Sequence, residues 1–153
     1  MARILVQDAA FDMAAETASL TAGRVDVGGI ASFLGICRGD DGLTALVLEH
    51  YPGMTERAIA RIAEQAEARW PLTGCTVIHR TGRILPGEPI VLVLTASAHR
   101  AAALEACAFL IDWLKTKAPF WKREAFADRP YRWVEARAED NAAADRWTDA
   151  GAA

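Results

Sequence analysis

The chain has 153 residues, of which 52% are hydrophobic and 24% charged, so it has the composition of a soluble globular protein and the length to bury one core; a single domain over 1–153 is expected. Its net charge of -3 excludes the basic excess of a general nucleic-acid binder. No apolar run reaches the ~20 residues of a membrane span, and the N-terminus does not read as a signal peptide, so the cytoplasm is the expected compartment.

Residues 2–7 read as a first strand, and Asp12 as the cap of a short helix running to about Ala22. Gly28-Gly29 leads into a β-type run that ends at Arg38. The turn Gly39-Asp40-Asp41-Gly42 precedes a strand over 43–51 with apolar residues on both parities, which suggests that both its faces are covered. Pro52-Gly53 breaks the chain. Thr55 is expected to cap a helix from Glu56 to about Trp70, with Ala58, Ile59, Ile62, Ala63, Ala66 and Trp70 as its apolar stripe. Residues 76–84 and 90–98 read as two strands of a hairpin around a Pro-Gly turn. A long helix follows from about His99 to Lys117, ended by Pro119. Two short extended pieces, FWKREAF and YRWVE, then precede a last helix at about 139–147, and the tail from about 148 is expected to fray. Hairpins mixed with separated helices, rather than strict β-α alternation, indicate an α+β fold with a mixed or antiparallel sheet and packed helices.

Four of the 17 Lys and Arg residues fall between Lys115 and Arg123, among Trp113, Phe120 and Trp121. A cation in apolar surroundings is costly unless it is paired or used. On a helical wheel centred on Leu104, the residues Cys107, Ala108, Leu110, Ile111 and Leu114 fill one arc, and Lys115 and Arg100 fall inside its edge. Lys115 then has two readings. It is either a lysine whose stem covers core while its ammonium reaches water, or a partly desolvated acid/base at a pocket rim. Lys122 shares one face of an extended segment with Phe120 and Glu124, with Trp121 and Arg123 on the other; it fits either an edge-strand lysine or a pocket wall. Arg100 stands on the Lys115 face but about 22 Å away along the axis, too far for one small ligand. Either it serves something else, or a second copy of the chain brings its Arg100 to this Lys115.

His99 fits a helix-start residue without chemistry, and His50 and His79 fit structural positions. Cys37, Cys75 and Cys107 are an odd number with no CxxC spacing, which argues against disulfides and a cysteine zinc site. Cys37 alone has an adjacent cation, Arg38, able to lower its pKa, although a simple buried cysteine is the favoured reading. No metal-ligand spacing and no nucleotide motif occur, so no metal and no cofactor are expected.

FLGICR (33–38), LEHYPGMTERAIARIAEQAEARWP (48–71), VIHRTGRILPGE (77–88), SAHRAAALEACAFLIDWLKTKAPFWKRE (97–124) and RWVEAR (132–137) together resemble the large, catalytic subunit of molybdopterin synthase. The resemblance implies a hammerhead-like α+β fold. It implies an enzyme that converts cyclic pyranopterin monophosphate (precursor Z) to molybdopterin by installing two sulfurs as a dithiolene. It also implies a small ubiquitin-like partner whose C-terminal Gly-Gly thiocarboxylate donates the sulfur, and a homodimer within a heterotetramer. By motif, Lys115 and Lys122 match the two catalytic lysines. Arg38, His99 and Arg100 match substrate-binding positions, the last two expected from the neighbouring subunit, and Ile36, Cys37, Arg123 and Glu124 flank the pocket. Lys117 stands where many members have Arg, and the loop between Arg38 and Leu43 is short. The rival readings are a non-catalytic anion-binding or scaffold protein using the same basic pocket, and a nucleic-acid binder built on KTKAPFWKR, which the charge balance disfavours.

Overall fold

The computed structural model describes residues 2–135 and 137–151. Its elements in order are β1 (Arg3–Gln7), α1 (Met13–Ser19), β2 (Gly29–Ile36), β3 (Leu43–His50), α2 (Met54–Arg69), β4 (Leu72–Arg80), β5 (Gly82–Ile84), β6 (Pro89–Ser97), α3 (Arg100–Thr116), β7 (Phe120–Phe126), β8 (Arg132–Val134) and α4 (Ala138–Gly151). The strands form two four-stranded sheets, in the orders β1-β4-β6-β2 and β5-β3-β7-β8. β1 runs parallel to β4; the other pairs are antiparallel. The α+β architecture read from the sequence is the one observed.

Apolar strands dictate the first sheet. β4 and β6 pair over Thr76↔Leu94 to His79↔Val91 and are buried on both faces. One face carries Val77, Val91 and Val93 against Ile59, Ile62 and Ala66 of α2 and Ala103, Cys107 and Leu110 of α3. The other carries Ile78, Leu92 and Leu94 against Phe11, Met13 and Leu20 around α1. The second sheet has a small core of its own, Leu46, Leu48 and Ile84 with Cys37. β3 buries Ala45 on one face and Leu46 and Leu48 on the other, while Thr44 and Glu49 near its ends are exposed.

Several boundaries differ from the sequence reading. The expected strand over 76–84 is two strands in different sheets. Gly82, at φ +78°, turns the chain from β4 into β5, a conformation that suits a residue without Cβ. Asp12 does cap α1, accepting from the Ala15 N–H at 3.1 Å, but the helix stops at Ser19. Gly53, not Thr55, is the N-cap of α2, with its N–H donating to Glu56. Thr55, the second residue of α2, is fully buried, and its hydroxyl accepts from the Tyr51 N–H at 3.0 Å and donates to the Pro119 carbonyl at 3.2 Å. α4 continues to Gly151; the final two positions of the expected tail, 152 and 153, lie outside the described residues.

α4 is held to α3 by Asp112, which accepts from Trp147 Nε1 at 2.6 Å and from Arg146 at 3.0 Å. Trp70, Phe109 and Trp147 meet edge-on, with the Arg69 guanidinium about 5 Å from two of the rings. The start of α3 is pinned differently. A Cβ on Gly28 would lie 1.9 Å from the Ala98 carbonyl oxygen, so β2 and the approach to α3 pass in backbone contact. Gly82→Ala should cost about 1–2 kcal/mol, from φ alone. Gly28→Ala must move backbone and should cost more. Urea unfolding of the two variants checks the order, and a Gly28→Ala protein as stable as wild type would contradict it.

Candidate active site

The last turn of α3 carries Lys115, and the helix closes with the Lys117 N–H donating to the Trp113 carbonyl at 2.8 Å. Pro119 then stops the helix, and the Thr55 hydroxyl fixes its carbonyl, so β7 begins at a set point. In β7, Lys122 lies between Leu48 of β3 and Val134 of β8. Strand alternation turns Phe120, Lys122 and Glu124 toward α3.

These elements enclose a cavity of about 510 Å³. Lys115 and Thr116 line it from α3, and Phe120, Lys122 and Glu124 from β7. Ile36, Cys37 and Arg38 enter from the end of β2, His79 from the end of β4, and Arg137 and Asp140 from the start of α4. Six of the residues singled out in the sequence, Ile36, Cys37, Arg38, Lys115, Lys122 and Glu124, therefore meet at one cavity. Its size suits a small organic ligand. Among the described residues, no cluster of three or more His, Cys, Asp or Glu side chains is placed to hold a metal ion.

The electrostatics of the wall are uneven. Burial, then the neighbouring Lys115 ammonium, hold the Lys122 pKa below the usual lysine range, and Asp140 and Glu124 offset this in part. His79 is buried, and its Nδ1 lies 2.9 Å from the Arg80 carbonyl oxygen, so Nδ1 carries the proton and donates. Burial pushes its pKa down to about 4, with Lys115 and Lys122 adding to the effect, so the ring is neutral near pH 7. The ring stacks on Phe120 at 4.0 Å between centroids. Cys37 is 3% exposed, and burial followed by Glu88 and Glu124 raises its pKa. The adjacent Arg38 does not activate it; its guanidinium points out to Asp40, 3.8 Å away.

Three of the singled-out residues lie elsewhere. Arg123 is on the other face of β7, with its guanidinium 5.1 Å from the Tyr131 ring centre. His99 and Arg100 are exposed at the opposite end of α3 from Lys115, beside Gly29 at the opposite end of β2 from Arg38. The buried face of α3 is also rotated from the arc centred on Leu104. Ala103, Ala106, Cys107 and Leu110 form the buried face of α3, whereas Leu104 is 60% exposed. Lys115 accordingly stands at the rim of the cavity and is exposed, rather than inside the apolar arc.

The model of the MoaE protein family matches residues 6–117. A molybdopterin synthase catalytic subunit from Mesorhizobium japonicum is 60% identical over 147 residues, covering 95% of this chain and 91% of its own length. The chain belongs to the MoaE protein family. Its fold agrees with that of the solved molybdopterin biosynthesis MoaE protein from Burkholderia ambifaria, at a TM-score of 0.83 and 47% identity over 97% of this chain and 99% of that one. A chain from the Helicobacter pylori complex of subunits 1 and 2 of molybdopterin-converting factor shares the fold at a TM-score of 0.70 and 21% identity, covering 89% of this chain and 90% of that one. The MoaE match includes Lys115 and ends before Lys122, which lies within the longer similarity to the relatives.

Sequence reading did not find His79, Arg137 or Asp140. His79 carries a local signal, a polar residue in an apolar strand one residue short of the Thr81-Gly82 break. Arg137 and Asp140 carry none, because the return of β8 and α4 to the cavity is a matter of long-range packing. If Lys115 helps to depress Lys122, Lys115→Met should raise the Lys122 pKa toward its ordinary value. In wild type, Lys122 should lose its proton at a lower pH than an exposed lysine, and the variant should retain it to higher pH. NMR titration of the lysine ε-carbons reads both; an unchanged Lys122 titration would contradict the coupling.

Proposed function

We propose that this cavity is the sulfur-transfer site of a molybdopterin synthase catalytic subunit, acting in the cytoplasm. The chain would take sulfur from the C-terminal thiocarboxylate of a small ubiquitin-like partner and install it on cyclic pyranopterin monophosphate, giving the dithiolene of molybdopterin. The observation that carries the reading is the convergence of Lys115 and Lys122, from two different elements, on one cavity with Arg38 at its mouth.

Each residue has a physical task in this scheme. The Arg38 guanidinium suits the substrate phosphate, since its planar fork of donors matches an anion. The Lys115 ammonium at the rim stabilises negative charge developing on the thiocarboxylate carbonyl, or passes a proton. Lys122, with its depressed pKa, gives up and regains a proton more readily than an exposed lysine and assists from the opposite wall. Ile36, Cys37 and Glu124 shape the pocket around the pterin. Arg123 supports β7 from its outer face.

No protein thiol carries the sulfur. Cys37, Cys75 and Cys107 are buried, and burial raises all three pKa values, to about 12 for Cys75 and about 11 for Cys107, so none offers a thiolate near neutrality. An external donor is the consistent source. The Helicobacter pylori chain of the same fold occurs in a two-subunit complex, which supports a separate partner. The single domain acts as a homodimer, with His99 and Arg100 reaching the neighbouring copy's cavity. Within one chain, α3 keeps them about 22 Å from Lys115.

The test is dithiolene formation from precursor and thiocarboxylated partner. Lys115→Ala should reduce product by at least about a hundredfold while the protein still folds and self-associates. Near-normal product from that variant would sink the assignment and favour a non-catalytic anion-binding role for the cavity.

A further inference from the structure

We infer that His79 is a substrate-binding residue of this cavity, its Nε2 accepting a hydrogen bond from an N–H or O–H donor on the bound heterocycle. The inference deepens the function proposed above and rests on it.

The geometry begins with the tautomer. A carbonyl oxygen only accepts, so the 2.9 Å contact to Arg80 places the proton on Nδ1. Nε2 is then a bare lone pair on a ring that is itself part of the cavity wall. Among the described residues the buried side-chain atoms without a partner are Thr73 Oγ1 and Arg123 Nε, so His79 Nε2 is open to the cavity, where an incoming donor can reach it, and a phenylalanine would stack on Phe120 equally well. The imidazole therefore has a purpose beyond packing. It is also one of the most buried polar residues in the wall, whereas Arg38 and Lys115 are exposed at the rim.

The donor set around it makes the role distinct. Lys115, Lys122, Arg38 and Arg137 can only donate, so they read phosphate and carbonyl oxygens. Asp40, Glu124, Glu135 and Asp140 also accept, but they are carboxylates, and Glu124 and Asp40 have arginine neighbours, Arg132 at 3.0 Å and Arg38 at 3.8 Å. His79 adds a neutral acceptor at the inner end, held in plane by the Phe120 stack. A pterin presents ring N–H and amino donors as well as acceptors, and an acceptor fixed in this way reads that donor edge. The nearby ammonium groups reinforce the assignment, because they oppose protonation of the ring.

The experiment is ¹⁵N NMR of the histidine rings in the full-length protein, titrated with cyclic pyranopterin monophosphate and, separately, with sulfate, which has no donor. The expected result is an unprotonated Nε2 resonance for His79 that shifts on adding the pterin and stays in place with sulfate. His79→Leu should raise KM about tenfold, with the loss falling on KM rather than on kcat, and His79→Gln should recover part of it through its amide oxygen. Pterin binding with an unmoved His79 Nε2 would overturn this inference and leave the proposed function standing. Failure of the wild-type protein to bind the pterin at all would overturn both. Should His79→Leu fail to fold, the wild-type titration decides alone.

Discussion

The stack of His79 on Phe120 is the contact on which the cavity depends. His79 is the last residue but one of β4 in the first sheet, and Phe120 opens β7 in the second. The chain itself crosses between the sheets three residues after His79, at Gly82, so covalent continuity and ring stacking close the same seam. Thr55 completes the arrangement by tying the first turn of α2 to Pro119. With those three constraints in place, the C-terminal turn of α3 has one position relative to β7, and Lys115 and Lys122 face a common space.

Placing two lysines and a histidine on one cavity has an electrostatic consequence. The three groups cannot all be charged at moderate cost in a partly desolvated wall. The imidazole gives up its proton first, because it is the most buried and the least basic. Lys122 follows at a lower pH than an ordinary lysine, and Lys115, at the rim, stays solvated. The cavity so obtained has cationic donors at its mouth and a neutral acceptor within. That polarity suits an anionic tail attached to a donor-bearing ring.

Much of the fold was legible because its signals are local. The apolar runs of β4 and β6, the Pro119 stop and the stripe of α2 follow from periodicity and punctuation. The split of β4 from β5 was not legible, since Thr81-Gly82 reads as one more strand step until the second sheet is seen. Leu104 misled the helical wheel because its exposure depends on what α3 packs against, not on the residue type. The candidate site was half legible. Spacing put Lys122 and Glu124 on one strand face, whereas their meeting with Lys115, Arg38 and Cys37 came from family resemblance. Arg123 shows the limit of such carry-over: adjacent in sequence to Lys122, it faces the other way. His79 was assigned a structural role because nothing in a strand's pattern tells what lies beyond its end.

In the function proposed above, α3 serves two sites, Lys115 in the cavity of its own chain and His99-Arg100 in that of the partner copy. Its seventeen residues separate the two ends too far for one ligand, and the length of β2 likewise stands between Gly29 and Arg38. Complementation between two crippled chains measures this directly. Lys115→Ala and Arg100→Ala proteins should each be nearly inactive alone. After subunit exchange, half the dimers should hold one intact site, restoring about a quarter of wild-type product formation. A mixture no more active than its parents would contradict the shared site.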